Sequence, residues 1–382
     1  MDPKVIIVGA GPAGISTWLH LQKHAPELAN HTLVIDKAVF PRDKLCAGGV
    51  GGWSADVLRG LAVDIDIPSV FVSDVDLKFG NEGYRFHQPN FFRVVHRIDF
   101  DHALVKNALS RGLELHQGET FLDALREKNK LIVKTNRTEY SAKALLGADG
   151  ALSVVSRKMM PSRRPHLAQT IQIYAKADAQ FDTEFHEKMI SIDFSPFKEG
   201  LQGYLWHFPC LIGGTPSIAH GIVDFRIHRG RPKADMKKIF SRELQSRNIH
   251  PKPKLWSSKP IRWFSKRDIV SQPNMLLVGD AAGIEPAFGG GIHLSLSYGE
   301  VAAWAVIDAF ENNNFSFRDY GKRLRSHLVG EWITKCTRLA LEMYGDRMNP
   351  LDAAREVFPE SRIPPELLSQ IASELEKAWR NS

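Results

Sequence analysis

The residues best placed to do chemistry sit in two glycine-rich segments, far apart in a chain of 382 residues. Gly9, Gly11 and Gly14 follow the apolar run Lys4 to Val8 and open a helical pattern, with Ala13 inside the turn. In that context the first glycine permits a tight turn, the second lets the backbone approach a pyrophosphate, and the third allows close helix packing. Asp36 ends the next apolar run, with Lys37 behind it, and its carboxylate can accept both hydroxyls of a ribose. FAD and NAD fit this segment equally well. Asp280 separates them. It follows Gly279 at the end of the run Leu276 to Val278 and precedes the turn Gly289-Gly290-Gly291-Ile292. A carboxylate there suits a ribityl hydroxyl, and the turn aims backbone N–H groups at a flavin ring or a phosphate. Asp280 also reads as a simple helix cap, a role that the three glycines after it disfavour. The expectation is one long cofactor, FAD, gripped by both segments.

Such residues need a frame. Lys4 to Val8, a helix from about Ala13 to His24 and the strand Thr32 to Ile35 make a strand–helix–strand unit. A helix over Asp101 to Arg111 and strands at Leu131 to Thr135, Ala144 to Leu146 and Leu276 to Val278 extend an α/β frame. Between about 160 and 260 the texture changes. Met189 to Phe194, Tyr204 to Phe208 and Ile218 to Phe225 alternate or run apolar between Gly and Pro turns. That pattern predicts an antiparallel sheet with one covered face, joined by part of 70 to 96. A helix follows from about 293 to 310, then short amphipathic helices broken at Pro350, Pro359 and Pro364-Pro365. The expected division is therefore discontinuous. Residues 1–69, 97–160 and 261–325 hold the cofactor, 70–96 and 161–260 form an inserted substrate-binding sheet, and 326–382 form a helical C-terminal region.

An apolar fraction of 43% fits a globular chain able to bury a large core. No stretch approaches a membrane span, and the first strand begins too early for a signal peptide, so a cytoplasmic, at most membrane-peripheral, protein is expected. Cys46, Cys210 and Cys336 are isolated and form no CxxC. The 15 histidines show no tight metal spacing, and no metal is expected. Net charge is +7, yet residues 226–267 alone carry 14 Lys/Arg against Asp235 and Glu243. Such a field suits an anionic substrate, an acidic carrier protein, an electron-donor protein or lipid headgroups. A solvated face is the plainer reading. Nucleic acid is not expected as a partner, because the aromatic residues here are not interleaved as stacking platforms.

A third element is Gly147-Ala148-Asp149-Gly150, followed by Ser153 and Ser156-Arg157. GxGxxG, this segment and Gly279-Asp280, in this order, resemble the p-hydroxybenzoate hydroxylase-type flavoproteins over roughly residues 4 to 310. The resemblance implies a Rossmann-like FAD-binding domain of the glutathione reductase/p-hydroxybenzoate hydroxylase type with an inserted antiparallel sheet. It also implies that Asp149 braces the cofactor pocket and that Arg97, in His96-Arg97-Ile98-Asp99, contacts FAD.

Pro41-Arg42-Asp43-Lys44-Leu45-Cys46-Ala47-Gly48 is similar to a segment of geranylgeranyl reductases that reads Pro-Arg-Asp-Lys-Pro-Cys-Gly-Gly, with Leu45 and Ala47 as departures. By that likeness Arg42, Ala47 and Gly48 bind the cofactor. Cys46 lies near the flavin, as a proton donor or as a small packed residue. Tyr204, Trp206 and Phe208, in Gly203-Tyr-Leu-Trp-His-Phe-Pro209, share one strand face. Such a stripe is often core; in reductases of this kind the same pattern lines a substrate cavity over the flavin. Halogenases carry Trp-x-Trp-x-Ile-Pro there and a Lys-x-Gly-Glu-Ser segment where this chain has Lys44 to Gly48, which disfavours halogenation. His207 points away from the stripe and is expected on the surface or hydrogen-bonded. His293 directly follows the glycine turn.

The sequence-based expectation is an FAD-dependent reductase of carbon–carbon double bonds in a hydrophobic, prenyl-like substrate. A flavin monooxygenase and a halogenase-like enzyme acting on an aromatic or carrier-bound substrate are the alternatives. With no second GxGxxG in a strand–helix context, electrons come from transiently docked NAD(P)H or from a separate redox protein.

Overall fold

A computed structural model describes residues 3–160, 165–250 and 255–357. Lys252 and Lys254 of the basic segment, and Pro359, Pro364 and Pro365 of the tail, lie outside the described residues. Two sheets organise the chain. The first has six strands in the order Ser271–Gln272, Met275–Leu277, Ala144–Gly147, Val5–Val8, Thr32–Asp36 and Glu114–Gln117. All neighbours run parallel except the edge pair Ser271–Gln272 and Met275–Leu277. The runs Val5–Val8 and Ala144–Gly147 are buried throughout, as strands covered on both faces must be.

Helices Pro12–His24 and Gly291–Glu311 pack side by side, and the Ser16 hydroxyl donates to the Leu296 carbonyl at 2.5 Å. Helix Arg97–Ser110 lies against the first of them. A separate three-stranded sheet, Phe121–Glu127, Lys130–Thr135 and Glu139–Ala142, stands in the connection between Glu114–Gln117 and Ala144–Gly147.

The second sheet has eight strands. Their order is Pro260–Arg262, Leu167–Lys176, Thr215–Asp224, Gly203–Ile212, Met189–Asp193, Ser69–Phe79, Glu82–Val95 and Gly49–Gly51. It is antiparallel but for one parallel pair, Met189–Asp193 with Ser69–Phe79. Gly49–Gly51, expected with the cofactor-binding segments, is an edge strand here, and Pro260–Arg262 forms the other edge.

One covered face was the expectation, and it needs correction: Gly203 to Cys210 is buried at every position. Tyr204, Trp206 and Phe208 belong to a cluster closed by helices Leu328–Met343 and Pro350–Val357. Leu205 faces the other way, with Ile222, Ile171 and helix Met236–Ser246. A doubly covered strand reads as a continuous apolar run, so alternation alone did not reveal the second cover.

Among the described residues no helix is long and apolar enough to cross a membrane. The basic segment is also not one uniform field. Arg262 is buried in an ion pair with Asp268, and Arg247 bridges Glu243 and Glu184.

Candidate active site

A cavity of about 2220 Å³ runs along the junction of the two sheets. Both glycine-rich segments open onto it. Gly9 turns at φ +110°, where a Cβ would stand 2.4 Å from the Ala148 carbonyl oxygen, so only glycine fits. The helix beginning at Pro12 has no side-chain cap, which leaves its first N–H groups to the cavity. At Gly11 a Cβ would meet only Arg42, at 3.6 Å, so the backbone lies open to a ligand. The second segment matches it. Helix Gly291–Glu311 starts from Gly290 in the left-handed region, φ +107°, again without a side-chain cap. The two turns touch, since a Cβ on Gly279 would meet the Ala13 methyl at 2.6 Å.

The carboxylates have distinct surroundings. Asp36 accepts the N–H groups of Ala10 at 2.7 Å and Ala38 at 2.8 Å, which aims it at the rim where Lys37 is exposed. Asp280 lies 3.7 Å from Lys44 Nζ, so the 41–49 loop is tied to the second glycine segment. Asp149 accepts from the Ser153 hydroxyl at 2.5 Å and the Val154 N–H at 2.6 Å, capping helix Val154–Met159. Burial pushes its carboxyl up, against those hydrogen bonds.

Arg97 lines the cavity beside Cys46, and two of its nitrogens each hold Asp101 at 2.7 Å. Arg42 also reaches Asp101, at 2.9 Å, and its Nη1 is buried without a partner. That orphaned donor, on the wall near the first helix N-terminus, is what a phosphate would satisfy. Expected cofactor contacts at Gly14, Gly48 and Gly279 are not on the cavity wall; these glycines turn or pack the chain behind it. Ala47, Gly290, Gly291 and Ile292 are on it.

Cys46 is on the wall too. Its thiol lies 3.4 Å from the Gly48 N–H, and its carbonyl accepts from Gln172 at 3.2 Å and the Tyr174 hydroxyl at 3.0 Å. Opposite stand Tyr204, Trp206 and Phe208. A Cβ on Gly289 would lie 3.1 Å from the Tyr204 hydroxyl, and one on Gly49 would lie 2.9 Å from the Phe208 ring. The aromatic stripe therefore spans the gap between the glycine turn and the Cys46 loop. Trp206 Nε1 is buried without a hydrogen-bond partner, its ring edge packed on Gly221.

Two titratable groups outside the expected set also line this space. Glu285 is 5% exposed and accepts the Gly289 N–H at 2.7 Å; burial pushes its carboxyl up to about 7. His293 is buried edge-on to Trp53, 5.5 Å between rings, and burial lowers it to about 4. The only signal for Glu285 was a lone carboxylate inside the apolar stretch Ile284 to Phe288.

His207 is buried away from the cavity. Its Nδ1 lies 2.7 Å from His220 Nδ1 and its Nε2 3.1 Å from Glu243.

Two uncapped helix N-termini, a glycine cradle and an orphaned guanidinium donor on one long cavity define a dinucleotide-type flavoprotein site. Residues 2–312 match the FAD binding domain family, and the chain belongs to it; FAD is its cofactor. Digeranylgeranylglycerophospholipid reductase 2 of Methanopyrus kandleri is 25% identical over 377 residues, covering 93% of this chain and 90% of the relative. A solved geranylgeranyl bacteriochlorophyll reductase-like protein of Thermoplasma acidophilum shares the fold, with a TM-score of 0.67 at 20% identity over 97% of this chain and 98% of that one. The flavin-dependent halogenase CmlS gives a TM-score of 0.67 at 18% identity, over 100% of this chain and 71% of that one.

Proposed function

We propose that this FAD-dependent oxidoreductase reduces carbon–carbon double bonds of a hydrophobic, prenyl-like substrate. The observation that carries the reading is the aromatic wall Tyr204, Trp206 and Phe208, set between the Gly289–Gly291 turn and the Cys46 loop. Bound and reduced, FAD supplies a hydride. The protein's work is then to hold an alkene against the glycine turn, to exclude water and to provide a proton. Phe194, Phe288 and the C-terminal helix residues Cys336 and Leu339 extend the apolar cluster behind the wall, which suits a chain rather than a polar ring. Gly9, Gly11 and the first turn of helix Pro12–His24 would hold the pyrophosphate with Arg42, Asp36 the ribose, and Asp280 the ribityl chain. Electrons would arrive from NAD(P)H or from a redox protein docking transiently.

An oxygen-dependent reading, hydroxylation or halogenation, has the likeness to CmlS in its favour. The two readings part under nitrogen. The test is to reduce the FAD-loaded protein chemically, add an allylic prenyl substrate without oxygen, and weigh the product. A product heavier by one pair of hydrogens supports the reductase. Turnover that requires oxygen contradicts it.

A further inference from the structure

We infer that Glu285 is the catalytic acid of this site, delivering the proton that completes reduction of the double bond. The inference rests on the reductase reading above. Glu285 sits between the two parts of the site that matter for such a step. Its Oε1 holds the Gly289 N–H at 2.7 Å, and the same Gly289 faces the Tyr204 hydroxyl of the aromatic wall. It lines the cavity yet is 5% exposed, and among the described residues no ion pair holds it. A carboxyl in such a place is kept for its proton or for its shape, and the surrounding charges decide between them.

Asp280 approaches from its own loop, and Tyr204, Cys336 and Tyr344 face it from the strand and the C-terminal helix; none of these offers a positive charge. Three described cations have other partners, although the Arg262 Nε is left without one. Arg262 holds Asp268, Ser156 and the Ala281 carbonyl, Lys44 pairs with Asp280, and Lys335 donates to the Glu356 carbonyl. Burial outweighs the Gly289, Ala287 and Phe288 N–H groups that favour the carboxylate and holds the group protonated up to about pH 7, where a general acid is most effective. The backbone is shaped to match: Ala287 adopts φ +66°, an unusual conformation for alanine, as the loop folds back over Glu285.

In the reaction the alkene gains two C–H bonds. One forms from its π electron pair and the Glu285 proton. The other forms from a hydride, with its electron pair, released by the reduced cofactor. The Glu285 carboxylate is then reprotonated from water.

The test pairs a spectrum with a rate on the FAD-loaded protein. Glu285→Gln keeps an oxygen to accept the Gly289 N–H but has no proton to titrate. Infrared difference spectra of the wild type should show a protonated-carboxyl C=O band that fades as pH rises through about 7 and is absent from E285Q. Anaerobic reduction of a prenyl substrate should slow by about 100- to 10,000-fold in E285Q and lose its decline above pH 7, while Glu285→Asp recovers part of the rate. Absence of the band from the wild type between about pH 5 and 9 overturns the proposal. So does an E285Q enzyme that turns over at the wild-type rate with the pH limb intact. A wild type that forms no reduced product at all sinks the reductase reading, and with it this step. That failure is distinct from one in which only the variant is unaffected.

Discussion

The two faces of the strand Gly203–Ile212 carry the same kind of residue and do opposite things with it. On one face Tyr204, Trp206 and Phe208 point at a cavity, and the Trp206 N–H is left without a partner. On the other, one residue away in each direction, His207 enters a closed chain of contacts. Neutral His207 with its proton on Nε2 would donate to Glu243 and accept from His220. Arg247 then joins Glu243, at 2.8 Å, to Glu184, at 2.8 Å. The proton placement follows from the contacts. Burial lowers both imidazoles, and His207 first of all draws Glu243 down to about 2. One face is closed by ion pairs of its own and the other borders the cavity. Strand alternation lets a single segment serve stability and recognition without either compromising the other.

That contrast breaks first where the charges are closed in. Glu243→Ala should strip His207 and Arg247 of their shared partner and destabilise the fold by about 3–5 kcal/mol, read from chemical denaturation. FAD retention and turnover per folded molecule should be unchanged. A loss of turnover without a loss of stability would mean that the network belongs to the site.

Trp206→Ala tests the other face, and it should behave in the reverse sense. Turnover should fall by about 10- to 100-fold with FAD retained, because positioning is lost. The stability cost should stay well below the roughly 3–5 kcal/mol of truncating a closed-core tryptophan. A full core penalty with normal turnover would make the stripe mere packing. Smaller again is Asp280→Ala. On the proposed assignment it removes one of many contacts to the cofactor, so FAD affinity measured by equilibrium dialysis should weaken by roughly 10-fold. Unchanged affinity would move the ribityl contact elsewhere.

The gentlest probe is acid. Because Glu243 titrates lower in the fold than its ordinary value of 4.5, its contribution is present above pH 4.5 and lost as pH falls toward about 2. Wild type should therefore lose more stability than Glu243→Gln over that window. Parallel losses would remove the network as the cause.

The cofactor side was legible in the sequence because its chemistry is local. Gly9, Gly11 and Gly14 act through their own backbone, and Asp36 and Asp280 sit at strand ends that apolar runs mark out. The aromatic stripe was legible as a face, since period-two alternation puts Tyr204, Trp206 and Phe208 together whatever lies opposite. What lies opposite was not. The cover on the His207 side comes from helix Met236–Ser246 and that over the aromatic side from residues 328–357, contacts made across long stretches of chain. The Arg97 partner was hidden for the same reason: Asp101, one helical turn on, pairs with the guanidinium that lines the cavity. Glu285 stayed hidden because its character comes from burial, which a single carboxylate among apolar neighbours does not announce.

Stopped-flow absorbance of the reduced, FAD-loaded protein tests the central claim most directly. Mixed under nitrogen with an allylic prenyl substrate, the bleached flavin should regain its yellow absorbance in a single turnover, one flavin reoxidised per double bond lost. A flavin that stays bleached until oxygen is admitted would contradict the account.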